Sequence, residues 1–214
     1  MTTGLAWREG APPLPFAGER ADWLRVVLRQ PPVERPGTRF NYNSGTVMVL
    51  SAVLQRAYRM HVEAFAERTL FRPMGFGEHV WPATDEGLTP TAGGLALRPR
   101  DLAKIGQLLL DGGTYGGRRI VSAAWLERST APHVAAPEGA RYGYLWWRLP
   151  AALPPGAEVL DETVYAGGAG DQYLFVVPRA GLVVVVTGQN YDRHFIGPLG
   201  FLIREIGPAV RDTL

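Results

Sequence analysis

Apolar residues recur at helical spacing through the first half of the chain and in alternating or unbroken runs through the second. Trp23, Val26, Val27 and Leu28 predict a short amphipathic helix from about residue 20 to 30, ended by Pro31-Pro32. Val47, Leu50, Val53, Leu54, Ala57 and Tyr58 predict a longer one, with Asn43 or Ser44 as its N-cap. A third helix runs through Val62, Phe65, Ala66 and Leu70 and closes at Pro73-Met74-Gly75. Pro99-Arg100-Asp101 opens a fourth, through Leu102, Ile105, Leu108 and Leu109, which Gly112-Gly113 terminates. Ser122 is the expected cap of a short helix carrying Trp125.

After Pro132 the period changes. Tyr142 to Trp147 is aromatic and strand-like, and Val164 to Gly170 reads as a glycine-rich strand end. Gln172–Val177 and Leu182–Thr187, joined by Pro178-Arg179-Ala180-Gly181, predict a β-hairpin. The unbroken β-branched run of its second strand calls for apolar cover on both faces. Leu199, Leu202, Ile203 and Ile206 close the chain with an amphipathic helix. Residues 1–18 read as an irregular arm, and 75–98 as a long connection with one short strand near Gly94–Leu97. Helices first, then an antiparallel meander, then a closing helix define an α+β class. The expected division is a mainly helical region over 1–132 and antiparallel strands with the C-terminal helix over 133–214, within one domain.

Composition narrows the chemistry. A length of 214 residues allows a sizeable core. The net charge of +2 is scattered, and the pI of about 9.1 comes from arginine, since Lys104 is the only lysine. No basic run or aromatic-interleaved stripe points to nucleic acid. The absence of cysteine excludes disulfides, thiol catalysis and cysteine metal sites. His61, His79, His133 and His194 show no metal-ligand spacing, and the glycine pairs at 112–113 and 116–117 lack the Gly-Lys-Ser/Thr ending of a phosphate loop. No cofactor is expected. Met1–Arg8 has no charged leader before an apolar core, and the longest apolar run is far too short to span a bilayer. The chain is therefore expected to be soluble and without a membrane partner, cytoplasmic as it stands, with the compartment of the full-length protein left open.

The stretch with most chemical promise is Arg35 to Gly45, where a Pro-Gly turn delivers Tyr42 and Ser44 to the mouth of a helix. Four stretches together resemble the serine β-lactamase and penicillin-binding-protein superfamily, in its class C-like branch with esterases and 6-aminohexanoate-dimer hydrolases. Met1-Thr2-Thr3-Gly4-Leu5 is similar to the family's Thr-Ser-Gly-Leu segment, and Tyr42-Asn43-Ser44 to its Tyr-x-Asn or Tyr-x-Ser motif. Gly93-Gly94-Leu95 through Pro99-Arg100-Asp101-Leu102-Ala103-Lys104 resembles its Gly-Gly and Arg-Asp helix. Ala166-Gly167-Gly168-Ala169-Gly170, with the hairpin after it, resembles its third motif.

The resemblance implies a β-lactamase/transpeptidase-like fold and acyl transfer. Tyr42 would be the proton relay, Ser44 a substrate contact, and Ala169 a backbone N–H donor to an oxyanion. Ala166, Gly167 and Gly168 would line the substrate, with no cation where the family usually has Lys-Thr-Gly. Neutral esters or amides are therefore the expected substrates. The alternatives remain that Tyr42 packs at a helix entrance, that Ser44 is an N-cap, and that the glycines form a bulge. Asp101 and Lys104 are expected to make helix-surface contacts.

The family's nucleophile is the serine of Ser-x-x-Lys, upstream of the Thr-Ser-Gly-Leu segment. Lys104 would have to be its lysine, and position 101 is aspartate, so these 214 residues contain no Ser-x-x-Lys. Ser44, Ser51, Ser122 and Ser129 lie in no Gly-x-Ser-x-Gly frame. Tyr42 alone faces a shift of ~3 pKa units, roughly 4 kcal/mol, before it can act as a base at neutral pH. The expected function is therefore that of a serine hydrolase lacking its own nucleophile. The alternative is a non-catalytic binding or assembly protein that self-associates through an exposed sheet edge.

Overall fold

The computed structural model describes residues 1–10, 22–191 and 197–211. The chain forms two compact units, Met1–Leu97 and Arg98–Leu214.

The first unit is built on helices α1 (Trp23–Leu28), α2 (Ser44–Tyr58) and α3 (Val62–Ala66), the last continued by a π-helical turn, Glu67–Phe71. Asp22 caps α1 by accepting from the Arg25 N–H, and Asn43 caps α2 by accepting from the Thr46 N–H at 2.9 Å. Ser44 is thus the first helical residue and not the cap. The N-terminal residues are tied along the approach to α2: Ala6 donates to Pro31 O, Val33 to Gly4 O, Gly37 to Thr2 O and Asn41 to Met1 O. Gly45 is a packing requirement, because a Cβ there would overlap the Trp7 ring and a Val27 methyl. Phe71 and Met74 are buried, with Phe76, His79 and Trp81 around the Phe71 ring. The strand expected near 94–97 is reduced to one bridge, Val80 with Ala96. Val47 is buried as its spacing predicts, but Leu50, Val53 and Tyr58 are exposed, leaving α2 with an apolar outer face.

The second unit begins with α4 (Pro99–Leu110), followed by the small hairpin β1 (Thr114–Tyr115) and β2 (Arg118–Arg119), then α5 (Ala123–Thr130). Ser122 caps α5 as its position predicts. A six-stranded antiparallel meander follows: β3 (Val134–Ala135), β4 (Arg141–Tyr142), β5 (Trp147–Arg148), β6 (Val164–Gly168), β7 (Gln172–Val177) and β8 (Leu182–Val186), in that spatial order. The chain closes with α6 (Gly197–Phe201), a π-helical turn (Leu202–Ile206) and α7 (Gly207–Arg211).

Alternation along the strands separates two cores. Tyr165, Phe175 and Val177 share one with Leu149, Leu160 and Leu202, against which Leu199, Ile203 and Ile206 pack. Val164, Leu174 and Val176 form the other, covered by Leu102, Ile105 and Leu109 of α4. Gly106 lets α4 approach the sheet, since a Cβ there would press on Val183 and Leu174. Strand β8 contributes to both cores, as its unbroken apolar run predicts, while its residues stay half-buried. Asp101 is buried, and Lys104 Nζ lies 2.7 Å from its Oδ1, so this pair is set into the fold and not on an open helix surface.

The aromatic stretch Tyr142–Trp147 is not one strand. It turns between β4 and β5, with Gly143 N–H donating to Trp146 O and Leu145 at a φ of 68°. Gly143 is pressed onto the end of α5, where a Cβ would overlap the Ser129 carbonyl oxygen. Expected strand alternation cannot reveal this, because aromatic residues suit both strands and tight hairpins.

Burial, then Tyr173 and Glu138, push the Tyr165 phenol up to about 12, and burial followed by Asp171 raises Tyr173 as well. The folded state therefore favours both protonated forms. The stability this gives is fully present below pH ~10 and is lost as the pH rises towards the folded value. Urea midpoints should hold steady up to about pH 10 and then fall. Tyr165 accounts for about 2–3 kcal/mol of that fall. A midpoint unchanged through pH 12 would contradict this assignment.

Candidate active site

Tyr42 lies in the loop two residues before α2, half-buried, in the first unit. Its position follows from the turn at Gly37, where φ is 84°, and from the Asn43 cap that fixes where the helix begins. Asn43 is itself buried, and its N–H donates to the Met1 sulfur at 3.2 Å. Burial, and then the charge of Glu9, raise the Tyr42 phenol above its usual value. At neutral pH the ring therefore carries its proton and is a hydrogen-bond donor.

Glu9 is the residue that inspection of the sequence missed. Its carboxylate accepts from the Ser44 N–H at 3.1 Å, from the Ser44 hydroxyl at 2.6 Å and from Trp7 Nε1 at 2.8 Å. It satisfies an otherwise orphaned donor in the first turn of α2, where a negative charge is also favoured by the helix dipole. The contact spans 35 positions, so no local capping pattern could have shown it. Ser44 is held through its hydroxyl and its backbone at once.

Ala166, Gly167, Gly168 and Ala169 lie in the second unit, at the end of β6 and in the turn to β7. Gly167, Gly168 and Ala169 are exposed, and the Ala169 N–H has no hydrogen-bond partner among the described residues. The Tyr173 ring lies over Gly167, where a Cβ would sit 3.0 Å from it. The turn is held in shape by Gly170 and Asp171, with φ of 75° and 66°, and by Gln172 Nε2, which donates to Gly170 O at 2.9 Å and Gly188 O at 2.5 Å. The glycines are thus regular strand and not a bulge: Gly167 pairs with Tyr173 and Gly168 with Gln172.

Of the other residues considered, Ser51 is fully buried in α2, its hydroxyl without a hydrogen-bond partner among the described residues, and Ser129 is buried with its hydroxyl on Leu126 O. Neither is open to solvent. His79 packs on Phe71 and His133 stacks on Tyr144, while His194 lies outside the described residues.

Solved structures share this arrangement of helices and antiparallel sheet. One described as EstCE1, a hydrolase with promiscuous acyltransferase activity, superposes with a TM-score of 0.68 at 19% identity, over 87% of this chain and 60% of that one. The octameric penicillin-binding-protein homologue from Pyrococcus abyssi gives 0.62 at 19% identity, over 78% and 42%. The fold is that of the β-lactamase and penicillin-binding-protein structures. The Beta-lactamase family profile matches residues 1–195, and the chain belongs to that family. The 6-aminohexanoate-dimer hydrolase of Paenarthrobacter ureafaciens is 28% identical over 186 residues, which cover 80% of this chain and 45% of that enzyme. The chain thus spans less than half the length of this relative.

Among the described residues no helix is long and apolar enough to cross a membrane.

Proposed function

We propose that the protein works in acyl-enzyme hydrolysis of small neutral esters or amides, and that these 214 residues do not contain its nucleophile. The observation that carries this reading is the pairing of family membership over residues 1–195 with the absence of Ser-x-x-Lys from the chain. In the proposed cycle a serine from an upstream or separate segment attacks the substrate carbonyl, and Tyr42 relays its proton to the leaving group. The Ala169 N–H donates to the oxyanion, and water then releases the acid. Burial and Glu9 raise the Tyr42 phenol, whereas a lysine ammonium beside it would lower it. The exposed apolar face of α2, with Leu50, Val53 and Tyr58, offers a surface that a further packed segment would cover. The absence of a cation at Ala166-Gly167-Gly168 favours neutral substrates over β-lactam carboxylates. The test is turnover by the 214-residue chain alone. No serine-dependent hydrolysis of a nitrophenyl ester is expected, and hydrolysis that is lost on mutating one of its four serines would overturn the proposal.

A second reading, assembly without catalysis, rests on β8, which pairs only with β7 among the described residues and so presents an open sheet edge. It predicts a dimer or larger species by light scattering with no covalent labelling. A clean monomer would count against it.

A further inference from the structure

A cavity of about 350 Å³ lies wholly within the second unit, on the α4 face of the sheet. Leu109 and Leu110 of α4, Leu126 of α5, and Val164 and Val176 of the sheet give it apolar walls. Among the described residues, Arg148 is the one cation that lines it. Val164 and Gly168 stand at opposite ends of β6, about 13 Å apart at the rise of a strand, so this cavity is distinct from the candidate active-site turn.

The sheet register explains how an arginine comes to lie among apolar walls. Arg141, Arg148, Val164 and Val176 are directly opposed on neighbouring strands, and so form one row across the same face. Two arginines opposite each other repel, and this pair has no carboxylate within ion-pair distance among the described residues. Arg148 Nη1 donates to Thr130 O, the last carbonyl of α5, at 3.1 Å, and Arg141 Nη2 donates to Leu149 O at 3.3 Å. The Nε of each is buried, with no hydrogen-bond partner among the described residues. Burial and the neighbouring Arg141 weigh against the Arg148 cation, while Glu162 and Asp161 favour it.

We infer that this cavity binds a small monocarboxylate with a short alkyl chain, its carboxylate on the Arg148 guanidinium and its chain along Leu109, Leu126, Val164 and Val176. A planar carboxylate matches the donor fork of arginine. It also places a negative charge next to two like-charged guanidinium groups. Glu127 and Glu162, both exposed, line the same cavity and select against a second negative charge, which disfavours phosphates and dicarboxylates. The volume lies within the range of small-molecule sites.

The test is calorimetric titration of the folded chain with pentanoate, with pentylamine and phosphate as charge controls. Pentanoate is expected to bind saturably, in about the millimolar range or tighter. Arg148→Gln should weaken it by roughly tenfold or more, because a charge-assisted hydrogen bond is lost. Ala123→Phe, at the exposed rim, should weaken it comparably by occupying the cavity while leaving both arginines in place. Should Arg148→Gln not fold, the Ala123→Phe titration decides alone. No saturable binding of pentanoate to the unmodified chain overturns the inference. So does equal binding of pentylamine or phosphate, or pentanoate affinity unchanged in Ala123→Phe.

Discussion

Tyr42→Phe, placed in a form of the protein extended by a Ser-x-x-Lys segment, is expected to lower kcat/KM for a nitrophenyl ester by roughly a hundred- to ten-thousandfold. The substitution removes one hydroxyl and keeps the ring, so the half-buried packing beside the Asn43 cap should survive. An unchanged thermal midpoint alongside the lost activity separates a role in proton transfer from a role in folding. The pH profile adds a second sign. In the 214-residue chain, burial and Glu9 hold the phenol protonated, so it cannot accept a proton at neutral pH. With a lysine ammonium beside it, the proposed relay predicts that the phenol's pKa falls and that activity rises with pH through that lowered value. Full activity in Tyr42→Phe would remove Tyr42 from the mechanism.

The largest expected effect on stability is at Phe175. It is fully buried, with its ring centroid 5.6 Å from that of Tyr165 and 5.3 Å from that of Tyr173, in the core between the sheet and the C-terminal helices. Phe175→Ala removes the transfer energy of the ring and leaves a cavity that strands on both sides cannot collapse to fill. The expected cost is about 3–5 kcal/mol, read from denaturant midpoints. Phe175→Leu, which keeps most of the volume, should cost appreciably less. Equal losses in the two variants would mean that ring stacking, and not volume, holds this core.

Much of this fold was legible because its signals are local. Pro99 at the first turn of α4, the glycines at 112–113 after it, Ser122 before α5 and the Pro-Gly turn between β7 and β8 each act within a few residues. What was not legible depends on distant neighbours. Leu50 and Val53 keep helical spacing but face outwards, because periodicity marks a face without saying what covers it. The break at Gly143–Trp146 is set by the close approach to Ser129, some fifteen residues earlier, and not by the aromatic pattern around it.

The candidate site divides in the same way. The Tyr42 loop and the glycine strand stood out by motif, and Asn43 as a cap by its residue type. Glu9, in a segment that reads as an irregular arm, was invisible although it holds Ser44 by two hydrogen bonds. Asp101 offered only a surface reading, whereas packing buries it beside Lys104.

In the proposed acyl transfer, the nucleophile comes from a Ser-x-x-Lys segment that these 214 residues do not contain. Intact-mass analysis after fluorophosphonate treatment tests it most directly, on the chain alone and on the extended form side by side. No adduct is expected on the chain alone, and a single adduct on the lysine-paired serine of the extended form. An adduct at Ser44, Ser51, Ser122 or Ser129 of the chain alone would contradict it.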